Sequence, residues 1–237
     1  MSGSVVVIGA SSGIGEAIAK HYADQGRRVY VSSREQARAD EAAARIGGDT
    51  HGIAVDLAEP AGIAAGLAPV EGPVDYLVIP AVLRDSNNLR EYDIEGATKL
   101  AVLKVVGYPE TIHQLIDRMS PEGAIVLFGG LAKEKPYPGS TNVTSVNGAV
   151  EKMMNGLILQ VAPIRINAIH PGIVLDSWFW DNKDAVREAV LAKTPTGRPV
   201  LTEHIVDATV FLLENPSANG VNLQIDGGHQ ARNLIFD

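Results

Sequence analysis

The residues best suited to chemistry by type and spacing are Gly9-Ala10-Ser11-Ser12-Gly13-Ile14-Gly15, which follow the apolar run Ser4–Ile8 directly and open a helical pattern. Glycines let a backbone turn sharply and approach a ligand with no Cβ in the way. The unpaired N–H groups of a helix's first turn, with the positive end of its dipole, favour negative charge. Strand, glycine turn and helix in that order therefore make a pyrophosphate site. A tight strand-to-helix turn with no ligand is the competing reading, and a glycine pattern alone does not exclude it.

A second β-branched run, Arg28–Ser32, leads into Ser33-Arg34, with no acid where such sites commonly hold a ribose 2′-hydroxyl. Ser33 and the Arg34 guanidinium instead offer a charge-assisted fork for a 2′-phosphate, so NADP(H) is expected in preference to NAD(H). The alternative for Arg34 is an exposed charge at a helix start.

The spacing Gly-x3-Gly-x-Gly resembles the fingerprint of the short-chain dehydrogenase/reductase family, and the resemblance runs through almost the whole chain. Val55-Asp56-Leu57 is similar to that family's adenine-contacting turn, with Asp56 accepting from the exocyclic amine; by itself Asp56 can equally cap the next helix. Arg165-Ile166-Asn167-Ala168-Ile169-His170-Pro171-Gly172 resembles the segment leading to the nicotinamide carboxamide, and Asn219-Gly220 with Gln224-Ile225-Asp226-Gly227-Gly228 resembles the last strand and turn. Of the family's Asn-Asn-Ala-Gly after the fourth strand, Ile79-Pro80-Ala81-Val82 keeps Ala81 alone. The cofactor-binding residues implied are Gly9, Ser11, Ser12, Gly13, Ile14, Gly15, Ser33, Arg34, Asp56, Leu57 and Ala81. Asp176 falls where a Thr often meets the cofactor phosphate and would add a negative charge there.

The resemblance fails where the family does its acid–base chemistry. An ordinary member uses a Tyr as proton donor, a Lys that lowers its pKa, a Ser that orients the substrate oxygen and an Asn that supports a water relay. Counted from Ala162-Pro163-Ile164-Arg165, the Lys position holds Asn147 and the Tyr position Val143; Gly130 stands for Ser and Lys104 for Asn. No shift of register repairs this. The residues four after Tyr22, Tyr30, Tyr76, Tyr92, Tyr108 and Tyr137 are Gly26, Arg34, Pro80, Gly96, Ile112 and Thr141, none of them Lys. Lys104, Lys133, Lys135 and Tyr137 are the nearest remaining proton donors in sequence, and a loop or helix surface is the expectation for each. His170 either faces the substrate or is a packed, hydrogen-bonded imidazole, the second being the expectation.

Seven β-branched or apolar runs read as strands: Ser4–Ile8, Arg28–Ser32, Gly52–Asp56, Tyr76–Ile79, Ala124–Phe128, Arg165–His170 and Asn222–Ile225. Between them helical spacing recurs, as in Ile14, Ala17, Ile18, His21 and Tyr22; in Val146, Val150, Met153 and Met154; and, after Thr202 as N-cap, in Ile205, Ala208, Leu212 and Leu213. Alternating strands and helices imply right-handed crossovers and an α/β fold: a Rossmann-type doubly wound parallel sheet of about seven strands with helices on both faces. With no internal repeat or dividing linker, residues 1–237 are expected to form a single NAD(P)-binding domain. The pocket walls are expected in Ile79–Asn88, Leu131–Ser145 (an irregular loop with Pro136, Pro138 and Gly139) and Leu175–Lys193.

A net charge of −8 argues against nucleic acid or an anionic membrane as partner, because phosphate binding needs clustered cations. There is no Cys, the six His show no close metal-ligand spacing, and no Gly-x-Ser-x-Gly elbow occurs, so neither a metal site nor a serine hydrolase is expected. With no basic stretch and cleavable apolar run at the start, the cytoplasm is the expected location. A small-molecule substrate and, from the Met153–Met154 face and the family resemblance, a homodimer or homotetramer complete the expectation.

Three functions fit. The first is a divergent NADP(H)-dependent oxidoreductase acting on a small carbonyl, alcohol or enone without the Tyr–Lys pair. The others are a non-catalytic NADP(H)-binding sensor or partner subunit, and a non-redox cyclase or dehydratase on the same fold.

Overall fold

Strand-forming runs separated by helix-length intervals leave the chain one economical arrangement, parallel strands joined by helices that cross above or below them. The computed structural model describes residues 3–177, 180, 181 and 183–231. Its strands are β1 (Ser4–Val7), β2 (Val29–Ser33), β3 (Thr50–Ala54), β4 (Val74–Ile79), β5 (Met119–Phe128), β6 (Arg165–Pro171) and β7 (Asn222–Ile225). They form one seven-stranded sheet in the order β3-β2-β1-β4-β5-β6-β7, parallel throughout.

The helices are α1 (Gly13–Asp24), α2 (Gln36–Ile46), α3 (Ile63–Leu67), α4 (Ile94–Ala101), α5 (Tyr108–Leu115), α6 (Thr141–Val161), α7 (Asp184–Lys193) and α8 (Thr202–Glu214). Between α4 and α5 the chain winds as a π-helix over Val102–Gly107. Among the described residues, no helix is long and apolar enough to cross a membrane.

Successive strand residues point to opposite faces, and the core divides accordingly. Val6, Ile8, Leu77, Ile79, Ile125 and Leu127 pack with Leu67, Leu115, Val150 and Met154 on one side. Val5, Val7, Val29, Val31, Val78 and Val126 pack with Ile18, Tyr22, Ile205 and Leu212 on the other. Each such fully buried aliphatic side chain contributes about 1.5–3 kcal/mol relative to exposure. The Val146, Val150 and Met154 stripe thus faces the sheet, with Met153 packed partly buried against the same cluster.

Three local readings are corrected. Thr202 is the first residue of α8 rather than its cap: the Asp176 carboxylate accepts from the Thr202 N–H at 2.9 and 3.0 Å and from its hydroxyl at 2.9 Å. The stretch expected to be irregular up to Ser145 has already entered α6 at Thr141, after a 3-10 turn over Leu131–Lys133. Strand β5 starts at Met119, five residues early, because an irregularity in its pairing with β4 accommodates Pro121 and Gly123, which break the apolar run in the sequence.

The buried Asn167 shows how α8 is held to the sheet. Its side chain donates to Ala218 O at 2.9 Å and accepts from Val221 N–H at 3.0 Å, while the Arg165 guanidinium donates to the carbonyls of Leu212, Leu213 and Ala218. The Arg165 bonds satisfy the orphan Leu212 and Leu213 carbonyls at the α8 C-terminus, and the Asn167 bonds tie the following loop to β6. Asn167→Leu, of similar volume, strands the Val221 N–H, and urea unfolding should register a loss of about 1–3 kcal/mol.

Candidate functional site

Strand order reverses between β1 and β4, where the chain, having wound outward to β3, returns to the other side of β1. Crossovers leave in opposite directions there, so a crevice opens beyond the carboxyl ends of the strands. A cleft of about 730 Å³ occupies that place. That is within the range of small-molecule and cofactor pockets.

The glycine turn forms its floor. Gly9 takes a left-handed φ of 95°, and a Cβ there would lie 2.7 Å from Ala81 Cα; a Cβ on Gly15 would lie 2.3 Å from Gly9 O. Only glycine permits the turn to close this tightly against β4 and against itself. Ser32 Oγ accepts from the Gly9 N–H at 2.9 Å, and the Arg45 guanidinium donates to Ser11 O at 2.9 Å while pairing with Glu16. Ser12 precedes α1 with extended backbone and makes no side-chain cap, so the first-turn donors are left for a ligand. The turn is preorganised for an anion.

All the residues read from the sequence as cofactor-binding are brought together here: Gly9, Ser11, Ser12, Gly13, Ile14 and Gly15 from the turn and the start of α1, Ser33 and Arg34 at the end of β2, Asp56 and Leu57 after β3, and Ala81 after β4. Asp56 also makes a local turn, its carboxylate accepting from the Ala58 N–H at 2.9 Å. The sequence reading did not assign Ser32, Arg38 or Lys99, which line the same cleft. A signal existed for Arg38, which lies in the first turn of α2 as a second arginine close in sequence to Arg34.

The expected walls are met unevenly. Pro80–Arg84 and, from the third stretch, Ser177 and Trp180 line the cleft; Trp178, Phe179 and Asn182 lie outside the described residues. None of 131–145 lines it. That segment is drawn to the C-terminal turn instead, through Lys135 Nζ to His229 O at 3.3 Å and Gln230 Nε2 to Leu131 O at 2.8 Å. Asp176 is absent from the lining, its carboxylate engaged at the start of α8, so the charge expected at the phosphate position is directed elsewhere.

Of the positions where the four-residue acid–base set was sought, Gly130 and Asn147 touch: a Cβ on Gly130 would meet Asn147 Nδ2 at 2.8 Å. Val143 is half-buried on the first turn of α6. Lys104 alone of the four lines the cleft. It is also buried, 2% exposed, which corrects the expectation of a surface lysine. Lys133 departs from that expectation too, its ammonium held by Glu134 at 2.5 Å and Glu151 at 2.6 Å with 5% of the side chain exposed. Lys133 and, beside it, Lys152 push the Glu151 carboxyl down to about 2.

His170 is a packed imidazole. Its Nδ1 accepts from the Gly130 N–H at 3.2 Å and its Nε2 pairs with Asn222 Oδ1 at 3.0 Å, which fixes a neutral ring with its proton on Nε2. Burial holds its pKa below the usual imidazole value. The ring fills the space over Gly129, where a Cβ would come within 2.2 Å of Nδ1. Gly129→Ala should therefore cost about 1–3 kcal/mol in chemical unfolding, as overpacking does. A double-mutant cycle with His170→Ala should recover most of that loss.

Comparison with known proteins follows the same outline. The family model described as enoyl-(acyl carrier protein) reductase matches residues 9–230. Carbonyl reductase family member 4 of Danio rerio is 30% identical over 240 residues, covering 97% of this chain and 99% of that protein. L-xylulose reductase of Bos taurus is 30% identical over 239 residues, covering 95% and 96%. Among solved structures, a glucose/ribitol dehydrogenase from Brucella melitensis superposes with a TM-score of 0.88 at 21% identity, over 95% of this chain and 96% of that one, a likeness of fold.

Proposed function

The chain belongs to the short-chain dehydrogenase/reductase family, whose members are oxidoreductases that bind a nicotinamide cofactor, and from that premise we propose that it is an NADP(H)-dependent reductase of a small carbonyl or enone that works without the Tyr–Lys pair. The observation that carries the reading is the cleft itself, in which an uncapped helix N-terminus, Arg34 and Arg38 line one continuous pocket.

The groups divide by position. The N–H groups of the glycine turn hold the pyrophosphate, and the closeness of Gly9 and Gly15 to their neighbours keeps that cradle rigid. Ser33, Arg34 and Arg38 surround the end of the cleft beyond β2 and meet the 2′-phosphate, with Asp56 and Leu57 beside the adenine. Pro171, Gly172, Ile173 and Val174 after β6 line the opposite part of the cleft and flank the nicotinamide. Bound there, the cofactor supplies a hydride and its two electrons. Trp180 and Val82 give the substrate end apolar walls, which favour a small organic carbonyl over a highly charged substrate. The working unit is taken to be a homo-oligomer acting in the cytoplasm.

Binding of NADPH and NADH, measured by calorimetry, tests the cofactor assignment. NADPH should bind the tighter of the two. Arg34→Asp should weaken NADPH by at least about tenfold, the scale of one lost charge-assisted contact, and leave NADH nearly unchanged. An equal effect on both would remove the 2′-phosphate assignment. Consumption of bound NADPH with a carbonyl and enone panel separates a reductase from a silent nucleotide-binding protein.

A further inference from the structure

With Val143 and Asn147 in place of the usual donor and its partner, the cleft needs another source of the proton that follows a hydride. Four side chains stand near enough in sequence, and the structure separates them. Lys133 is clamped between Glu134 and Glu151, Lys135 reaches His229 O, and Tyr137 is 55% exposed on a segment that does not line the cleft. Lys104 is buried and lines it.

Lys104 sits in the π-helical turn Val102–Gly107, a form that recurs at functional sites because it re-aims side chains out of the α-helical track. Its Nζ donates to Phe128 O at 2.5 Å, the carbonyl of the last residue of β5, beside the pocket-lining Gly129. An ammonium has three protons, and this bond engages one. Tyr108, one turn on, shares its hydroxyl proton between Ala81 O at 2.9 Å and Phe128 O at 3.2 Å, and its ring centroid lies 5.2 Å from Nζ. Burial raises the Tyr108 pKa, so that hydroxyl stays a structural donor.

The carboxylates on surrounding elements serve other partners. Asp56 holds the Ala58 N–H, Glu59 acts on Lys99, Glu95 pairs with Lys99, Glu110 accepts from Gln114, and Glu151 is taken by Lys133 and Lys152. From β6 the neutral His170 faces the same region, and from α6 the uncharged Asn147. Nothing therefore offsets the desolvation of Lys104, which brings its pKa down to about 7.

We propose that Lys104 is the proton-donating catalytic residue of this cleft, an amine delivered from the turn between α4 and α5 in place of the missing hydroxyl of α6. The proposal rests on reading the cleft as that of a nicotinamide-dependent reductase. As hydride from a dihydronicotinamide reaches the carbonyl carbon, the carbonyl π pair moves to oxygen. An N–H bond of the Lys104 ammonium breaks and an O–H bond forms. The dihydronicotinamide is oxidised, the carbonyl is reduced to an alcohol, and the neutral amine regains its proton from water.

Lys104→Met is the informative variant, since Phe128 O keeps the Tyr108 hydroxyl as a donor. The first readout needs no ligand. Below about pH 7 both folded and unfolded chains carry the lysine proton; between about 7 and the unfolded value of 10.5 only the unfolded chain does. The stability of the wild type relative to Lys104→Met should therefore rise with pH across that window, by close to tenfold per pH unit in the unfolding constant. A flat difference from pH 6 to 10 overturns the proposal.

The second readout is catalysis on the carbonyl panel. Lys104→Met should bind NADPH within about threefold of the wild type and lose roughly 10²–10⁴-fold in kcat, the usual contribution of a general acid. Wild-type kcat should fall above about pH 7 as the ammonium is lost. Equal turnover by the wild type and Lys104→Met overturns the Lys104 assignment and leaves the reductase reading standing. NADPH binding with no wild-type turnover overturns both, and failure to bind either cofactor removes the nucleotide reading itself.

Discussion

A parallel sheet that winds both ways from β1 has one place where neighbouring strands send their chains in opposite directions, and that place, between β1 and β4, governs everything else in this molecule. The glycine turn leaves β1 and the Pro80–Arg84 segment leaves β4, and they must pass each other at close range. The near contact of Gly9 with Ala81 is the physical expression of that crossing. Side chains at either position larger than those present would separate the two strand ends and open the floor of the cleft. The nucleotide half is thus tied to the sheet's topology as much as to any side chain that touches a ligand.

A second convergence joins that floor to the β5 side of the cleft. Phe128 O, at the end of β5, receives Lys104 and Tyr108, and Tyr108 also bonds Ala81 O after β4. Two strand ends and the helical segment over Val102–Leu115 therefore meet at two backbone carbonyls. Immediately beyond, Gly129 and Gly130 lie against His170 and Asn147. The packed His170 ring leaves no room for a side chain at 129, whereas at 130 a Cβ would have to displace the Asn147 amide, so the packing of β6 and α6 bears on both positions.

The fold was legible because its signals are periodic and local: the β-branched runs, the helical stripes and the glycine turn each declare themselves within a few residues. The cleft-lining residues of the glycine turn and of the β2, β3 and β4 ends were legible for the same reason, since they lie at or close to the ends of strands. What escaped was set by contacts distant in sequence. Nothing near Asp176 indicates that its carboxylate will serve Thr202, and nothing near Leu131 indicates that the 131–135 turn will be held by Lys135 and Gln230 at the C-terminal turn. Lys104 reads as an ordinary helix-surface lysine because its burial depends on β5 and on the π-helical turn, neither of which its neighbours encode by pattern.

On the proposed correspondence with the family's acid–base set, Lys104, Gly130, Val143 and Asn147 make better physical sense together than singly. A tyrosine at 143 without a lysine at 147 would lack the nearby cation that makes a phenol acidic enough to donate near neutral pH. A serine at 130 would press on the Asn147 amide. A lysine at 147 would bring a second ammonium toward the region that Lys104 and the neutral His170 already occupy, at the cost of like-charge repulsion in a poorly hydrated space. Under the proposed mechanism the arrangement is self-consistent: one buried amine supported by a backbone carbonyl stands in for a phenol supported by an amine. Desolvation rather than a neighbouring charge brings the Lys104 pKa down, which suits the proton-donating role proposed for it.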